Sequence, residues 1–217
     1  MTSFVGRRRE IAEARGRLQQ SRLVSLLGPG GVGKTRLAEE VAVRTARAFR
    51  DSVCWIDLAP VREPDSLASA AAAALSVTDQ SARPVMDKIL DHLRDKQVLI
   101  VVDNCEHLLD AATELIATVL QGTSEVRILT TSREPLGIAG EYSYVLPPLS
   151  TPTTPSGNRA ADLAAFESVT LLVERAQGVV ADFQITDRTA DKPTRACERR
   201  RAAMQMRSSP RAWHDQK

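Results

Sequence analysis

The segment Gly28-Pro29-Gly30-Gly31-Val32-Gly33-Lys34-Thr35 fits G-x-x-x-x-G-K-[ST], a spacing that builds a cradle for phosphate. Glycines let backbone N–H groups turn inward around phosphate oxygens. A helix that opens at the end of the loop adds its unpaired N–H groups and the positive end of its dipole. In this pattern Lys34 reaches the β- and γ-phosphates, and the Thr35 hydroxyl holds Mg²⁺. The candidate phosphate-binding residues are Gly28, Pro29, Gly30, Gly31, Val32, Gly33, Lys34, Thr35 and Arg36. A glycine-rich turn with no ligand has the same composition, and context separates the two. Leu23 to Leu27 reads as a buried strand, and Arg36 to Ala42 as a helix.

A second candidate lies in Val98-Leu99-Ile100-Val101-Val102-Asp103. An apolar parallel strand carries a terminal carboxylate to the edge of the sheet where ligands bind in open α/β folds. Asp103 is therefore a candidate Mg²⁺ ligand together with Thr35, through water because Mg²⁺ dehydrates reluctantly. A plain helix N-cap is the alternative role for the same residue. Asn104 follows it, and an amide can bond to water but cannot take its proton. Glu106 is close enough in sequence to substitute, though a solvated loop carboxylate fits the same spacing. After Val126-Arg127-Ile128-Leu129-Thr130 comes Thr131-Ser132-Arg133. Arg133 is placed to sense a γ-phosphate by charge pairing, and an ordinary surface arginine fits as well. Lys34, Asp103 and Arg133 form the candidate catalytic set. Cys105 and His107 flank Glu106, but no second ligand pair stands at zinc-like spacing.

The elements that must position these residues alternate. Strands are expected near 23–27, 53–57, 98–102, 126–130 and 142–146. Helices are expected near 8–20, 34–49, 65–75, 83–95, 107–121 and 160–178. Such alternation implies an α/β fold around a mainly parallel sheet, and continuous apolar strands imply cover on both faces. Pro147 to Gly157 is rich in Pro, Thr, Ser and Gly and reads as a linker.

At 217 residues the chain suits one α/β domain with an appendage. Hydrophobic residues make up 43% and aromatics 4%, so the core is expected to be mostly Ala, Leu and Val. No stretch is long and apolar enough to span a bilayer, and the first residues lack an apolar signal region. Three well-separated cysteines, Cys54, Cys105 and Cys197, suggest a reducing compartment, hence the cytoplasm. Residues 188–217 carry a net charge of +6 and the remainder −4. The acidic body is a poor nucleic-acid surface, which leaves DNA contact, indirect or weak, to the tail.

Together these segments resemble the signal-transduction ATPases with numerous domains, the NB-ARC-like class. The nearest likeness is to the ATPase module of bacterial LuxR-type and AfsR-type transcriptional regulators. Phe4-Val5-Gly6-Arg7-Arg8-Arg9-Glu10 resembles that class's N-terminal hhGRExE motif, which implies that Val5, Gly6 and Arg7 lie against adenine and ribose. Trp55 to Ala59, Leu99 to Leu109 and Ile128 to Leu136 resemble its second strand, its Walker B segment and its sensor strand. The resemblance implies a three-layer P-loop NTPase with a parallel five-stranded sheet in the order 2-3-4-1-5. It implies a switch that binds ATP/ADP with Mg²⁺, closed with ADP and open with ATP, and that hydrolyses slowly. Pro147 or Pro148 would lie near the base. The expected partners are an adenine nucleotide and either a second copy or a partner protein, with no membrane.

The expected organisation is a nucleotide-binding domain over 1–150, a linker and the start of a truncated helical lid over 151–187, and a disordered basic tail over 188–217. Three departures stand out, and one is Asn104, which occurs within this subfamily's pattern and so implies slow turnover. Arg8 replaces the usual Glu of the first motif. After Ile185-Thr186-Asp187, where the class continues into a Gly-Leu-Pro-Leu-Ala-like lid helix, this sequence turns to Arg, Ala, Ser and Pro. An out-of-frame read-through of a once longer gene is the expectation for that tail.

Overall fold

The computed structural model describes residues 4–78, 81–152 and 160–187, with Ala196 and Arg199 besides. The basic tail expected over 188–217 thus lies, but for those two residues, outside the described residues. The chain divides into two compact units. One comprises Arg9–Gly28 and Gly33–Leu146, and the other Met1–Arg8, Pro29–Val32 and Pro147–Lys217.

The first unit is built on five strands, β1 (Leu23–Leu27), β2 (Ser52–Asp57), β3 (Val98–Asp103), β4 (Arg127–Ser132) and β5 (Glu141–Val145). They form one parallel sheet in the order β2-β3-β4-β1-β5, as the resemblance implied. The register pairs Leu27 with Ser132 and Asp57 with Asp103, so β1 to β4 bring their C-terminal ends to one edge. Every residue of β1 and β3 is buried, while the outer strands β2 and β5 are partly open. That gradient follows from position, since a central parallel strand is covered on both faces.

The helices supply the cover. α1 (Arg8–Gln20) buries Ile11, Ala14 and Leu18, a single face at helical spacing on an otherwise charged helix. α2 (Lys34–Thr45) packs on β1, β3 and β4. α3 (Leu67–Ala74), α4 (Val85–Leu93) and α5 (Leu109–Gly122) pack on one another. They share a cluster with Val98, Ile100 and Val102 of β3 and Ile128 of β4. Leu99 and Val101 point to the other face and are fully buried there. Among the described residues no helix is long and apolar enough to cross a membrane.

Two arginines tie the opposite edge of the sheet. Arg22, just before β1, donates to the Val126 carbonyl at 3.1 Å, the Leu120 carbonyl at 2.9 Å and Thr123 Oγ1 at 3.1 Å. Arg127, opening β4, donates to the Leu18 carbonyl at 2.6 Å. Three fixed donors on one planar group hold the turn between α5 and β4 in register.

In the second unit the expected helix over 160–178 is two helices, α6 (Ala160–Leu163) and α7 (Glu167–Gln177). Phe166 between them is extended, and Ser150 bonds the first amides of α7. Glu167 N–H donates to Ser150 Oγ at 3.1 Å and Ser168 N–H to the Ser150 carbonyl at 3.2 Å. Three other expected helices meet a 3₁₀ turn at one end. The expected helix over 34–49 ends at Thr45 and gives way to a 3₁₀ turn over Ala46–Ala48. The one expected over 65–75 begins with a 3₁₀ turn at Pro64–Ser66. The one expected over 107–121 starts at Leu109, behind a 3₁₀ turn over Cys105–His107.

Leu99→Ala would open a cavity in the middle of the sheet. It is expected to destabilise the chain by about 2–5 kcal/mol in equilibrium urea unfolding. A loss under about 1 kcal/mol would show that β3 is not central to the core.

Candidate functional site

Strand β1 runs into the glycine-rich loop, where three glycines adopt backbone angles that side chains disfavour. They are Gly28 (φ 148°), Gly31 (φ 80°) and Gly33 (φ 100°). Gly33 caps α2, and the first bond of that helix runs from Leu37 N–H to the Gly33 carbonyl at 3.0 Å. The amides of Lys34, Thr35 and Arg36 stand ahead of that bond, at the end of the helix that favours anions. The Arg36 side chain instead pairs with Glu39 on the helix surface at 2.6 Å.

Lys34 is buried, and its Nζ donates to the Gly28 carbonyl at 2.8 Å. Burial pushes its amine below the ordinary lysine range. Glu106 opposes that shift, Arg133 adds to it, and Asp103 opposes it less. The loop thus holds a desolvated cation against its own backbone.

Asp103, at the end of β3, is 3% exposed. Its Oδ1 accepts from Thr35 Oγ1 at 3.0 Å and also from Thr131 Oγ1. Its Oδ2 accepts from Asn104 Nδ2 at 3.1 Å. Burial pushes the carboxyl above its ordinary range, against the hydroxyl donors of Thr131 and Thr35. Asn104 is left-handed (φ 64°), and its backbone N–H donates to Thr131 Oγ1 at 3.0 Å. The kinked Asn104 turns the chain off the strand so that the 3₁₀ turn carries Glu106 back along the edge. Glu106 Oε1 lies 3.2 Å from Arg133 Nε, just past β4. Cys105 is buried with its thiol on the Val102 carbonyl at 3.5 Å, and burial pushes it up to about 12. His107 lies on the Val61 carbonyl at 3.1 Å. Neither side chain presents a metal-binding arrangement.

The donor set fits Mg²⁺. A buried carboxylate and a hydroxyl 3.0 Å apart are hard oxygen ligands, and phosphate oxygens and water complete such a shell.

In the second unit, Gly6 (φ 68°) and Arg7 (φ 56°) form a left-handed pair. A Cβ on Gly6 would lie 2.2 Å from Glu167 Oε1. Arg7 N–H donates to that oxygen at 2.9 Å, and Arg7 Nη2 donates to the Val32 carbonyl at 2.8 Å. Arg7 thereby joins Glu167 to Val32 within this unit, with Val5 preceding it. Sequence reading did not identify Glu167 or Thr131. Nothing local marks Glu167. Thr131, in contrast, is a polar residue in a strand whose last five residues are all buried, and that demands a partner.

Residues 17–134 match the AAA domain family. The chain belongs to that family. A protein of Mycobacterium tuberculosis named as an HTH-type transcriptional regulator is 40% identical over 182 residues, which cover 84% of this chain and 19% of that protein. The regulatory protein AfsR of Streptomyces griseus is 32% identical over 143 residues, covering 60% of this chain and 14% of AfsR. This AAA chain therefore spans about a fifth or less of the length of these relatives. A signal transduction ATPase with numerous domains from Pyrococcus horikoshii, which carries a tetratricopeptide repeat sensor, shares the fold. Its TM-score is 0.52 at 17% identity, over 87% of this chain and 27% of that one. These matches bear out the P-loop ATPase fold and the likeness to transcriptional regulators such as AfsR.

The folded chain holds the Asp103 proton to a higher pH than the unfolded chain, whose carboxyl titrates near 3.8. Stability from that proton is complete below 3.8 and is lost as pH rises through the folded value. Asp103→Asn removes the buried charge. It is expected to raise the melting temperature of the nucleotide-free protein at pH 7, by a margin that shrinks as pH falls towards 3.8. A variant less stable at both ends of that range would show the charge to be structurally required.

Proposed function

We propose that this chain is the nucleotide-binding switch module of a signal-transduction ATPase, of the NB-ARC-like type found in LuxR-type and AfsR-type regulators. Its ligands are ADP and ATP with Mg²⁺. One observation carries this reading. Lys34, Thr35 and Asp103 come from the start of a helix and the end of a different strand, yet the Thr35 hydroxyl meets the Asp103 carboxylate at 3.0 Å while the Lys34 amine waits on the Gly28 carbonyl. That is the set of groups needed to hold a magnesium–phosphate pair.

In this reading the backbone from Gly28 to Arg36 encloses the phosphates, and Lys34 leaves Gly28 to pair with the β- and γ-oxygens. Thr35 and Asp103 hold Mg²⁺, which neutralises phosphate charge when bound. Arg133 exchanges Glu106 for a γ-phosphate, which distinguishes ATP from ADP by one charge-assisted contact. Val5, Gly6 and Arg7 belong to the adenine-side segment, with Arg7 positioning the loop through Val32. Asn104 donates to Asp103 and accepts no proton, in keeping with slow hydrolysis. The switch would act on a partner protein or a second copy within a regulator.

Lys34→Ala is expected to weaken ADP and ATP–Mg²⁺ binding by about 1.5–3 kcal/mol, roughly 10–100-fold in Kd, in calorimetric titration. Unchanged affinity would remove the phosphate assignment. Asp103→Ala should weaken ATP binding with Mg²⁺ more than without it. Equal losses would assign Asp103 a structural role.

A further inference from the structure

Resting on the nucleotide reading above, we propose that Glu106 is the proton acceptor for the water that attacks the γ-phosphate. Its Oε2 is the reacting atom, and Arg133 orients the carboxylate through Oε1.

The acids at this edge of the sheet differ in what already occupies them. Both oxygens of Asp103 accept hydrogen bonds, from Thr35 and Thr131 on one side and Asn104 on the other. Asp57 Oδ1 accepts from Ala59 N–H at 2.9 Å and from Asn104 Nδ2 at 3.4 Å. Glu106 is different. Its Oε1 pairs with Arg133 at 3.2 Å, and its Oε2 is buried and takes no hydrogen bond from the described residues. A buried carboxylate oxygen without a donor costs free energy, and a water molecule is the natural donor to it.

Position agrees with that chemistry. Glu106 sits on the 3₁₀ turn that follows β3, and Arg133 follows β4, the strand between β3 and the one that feeds the phosphate loop. Of the charged side chains acting on the Lys34 amine, Glu106 acts most strongly, ahead of Arg133 and Asp103. Strands β3, β4 and β1 are neighbours in that order, so the turn after β3, the residue after β4 and the loop after β1 open on one edge of the sheet.

The step balances on these residues. The water oxygen bonds to the γ-phosphorus, and the bond from that phosphorus to the β,γ-bridging oxygen breaks. ADP leaves with the electron pair. The water proton passes to Glu106 Oε2 and then to the inorganic phosphate. When Arg133 turns to the γ-phosphate, Oε1 is released too, so sensing and proton acceptance are coupled through one ion pair.

The test uses the full chain and its E106Q and E106D variants. Titration calorimetry gives ATP–Mg²⁺ affinity, phosphate release gives turnover, and chromatography identifies the nucleotide still bound after incubation with ATP–Mg²⁺. E106Q is expected to bind ATP within about threefold of wild type and to release phosphate at least about 100-fold more slowly. It should retain ATP where wild type retains ADP. E106D should recover part of the rate. Wild-type turnover in E106Q overturns the proposal, as does loss of ATP binding in both variants, or a wild type that binds ATP and releases no phosphate. A folded wild type that binds neither ADP nor ATP instead overturns the nucleotide reading itself, and the assignment of Glu106 with it.

Discussion

A charged carboxylate ends a fully buried strand, and most of the first unit is arranged around that fact. Asp103 emerges from Val98 to Val102, five residues that never meet water, and is itself 3% exposed. Desolvation of a carboxylate at that depth requires donors that cannot drift away. Two of them are hydroxyls that only the neighbouring elements can supply. Thr131 comes from β4, which must therefore pair with β3 in parallel, and Thr35 comes from the first turn of α2. The third is the amide of the next residue, bent back by a left-handed backbone. The strand order and the glycine angles at Gly28 and Gly33 can be viewed as what is needed to bring α2 to that spot.

The parts of this arrangement that sequence makes legible are those with local causes. The loop glycines, Lys34 and Thr35 declare themselves by spacing, and β1, β3 and β4 by apolar runs. The alternation of strands and helices implies a parallel sheet. The order 2-3-4-1-5 came from motif resemblance, because the insertion of β4 between β1 and β3 leaves no periodic trace in any of the three strands. Boundaries shifted wherever a tertiary donor decided them. α7 begins at Glu167 because Ser150, seventeen residues away, bonds its first amides. α5 begins at Leu109 because the left-handed Asn104 inserts a 3₁₀ turn before it. The link between Arg7 and Glu167 spans 160 residues and could not be inferred from either segment alone.

The strut at Arg7 bears on how the motif near the N-terminus acts. The resemblance assigns Val5, Gly6 and Arg7 to the base and ribose of a nucleotide. In the second unit, Arg7 N–H and Nη2 both engage protein acceptors, and Gly6 has no room for a side chain beside Glu167. Its φ of 68° favours glycine there, and a Cβ would displace the Glu167 carboxylate, 2.2 Å from where it would sit, from the Arg7 amide. The Gly6-Arg7 pair of the motif therefore has a mechanical reason independent of any ligand. It holds the Val32 carbonyl within the same unit.

The site's two buried charges are displaced in opposite directions. Burial lowers the lysine amine and raises the aspartate carboxyl, so each is held in surroundings that favour its neutral form. Neutral groups bond to each: Lys34 donates to a carbonyl, and Asp103 accepts from two hydroxyls and an amide. Such groups reduce the cost of desolvation but do not cancel a charge. A bound anion and a bound cation would cancel both at once. Ligand binding to such a site adds directly to the stability of the fold by mass action. It does so most where the empty site is least compensated, at the carboxyl ends of β1, β3 and β4. On the switch reading proposed above, this imbalance is what would let occupancy change the stability of the fold, and a switch needs that difference between its states rather than a maximum of stability in either.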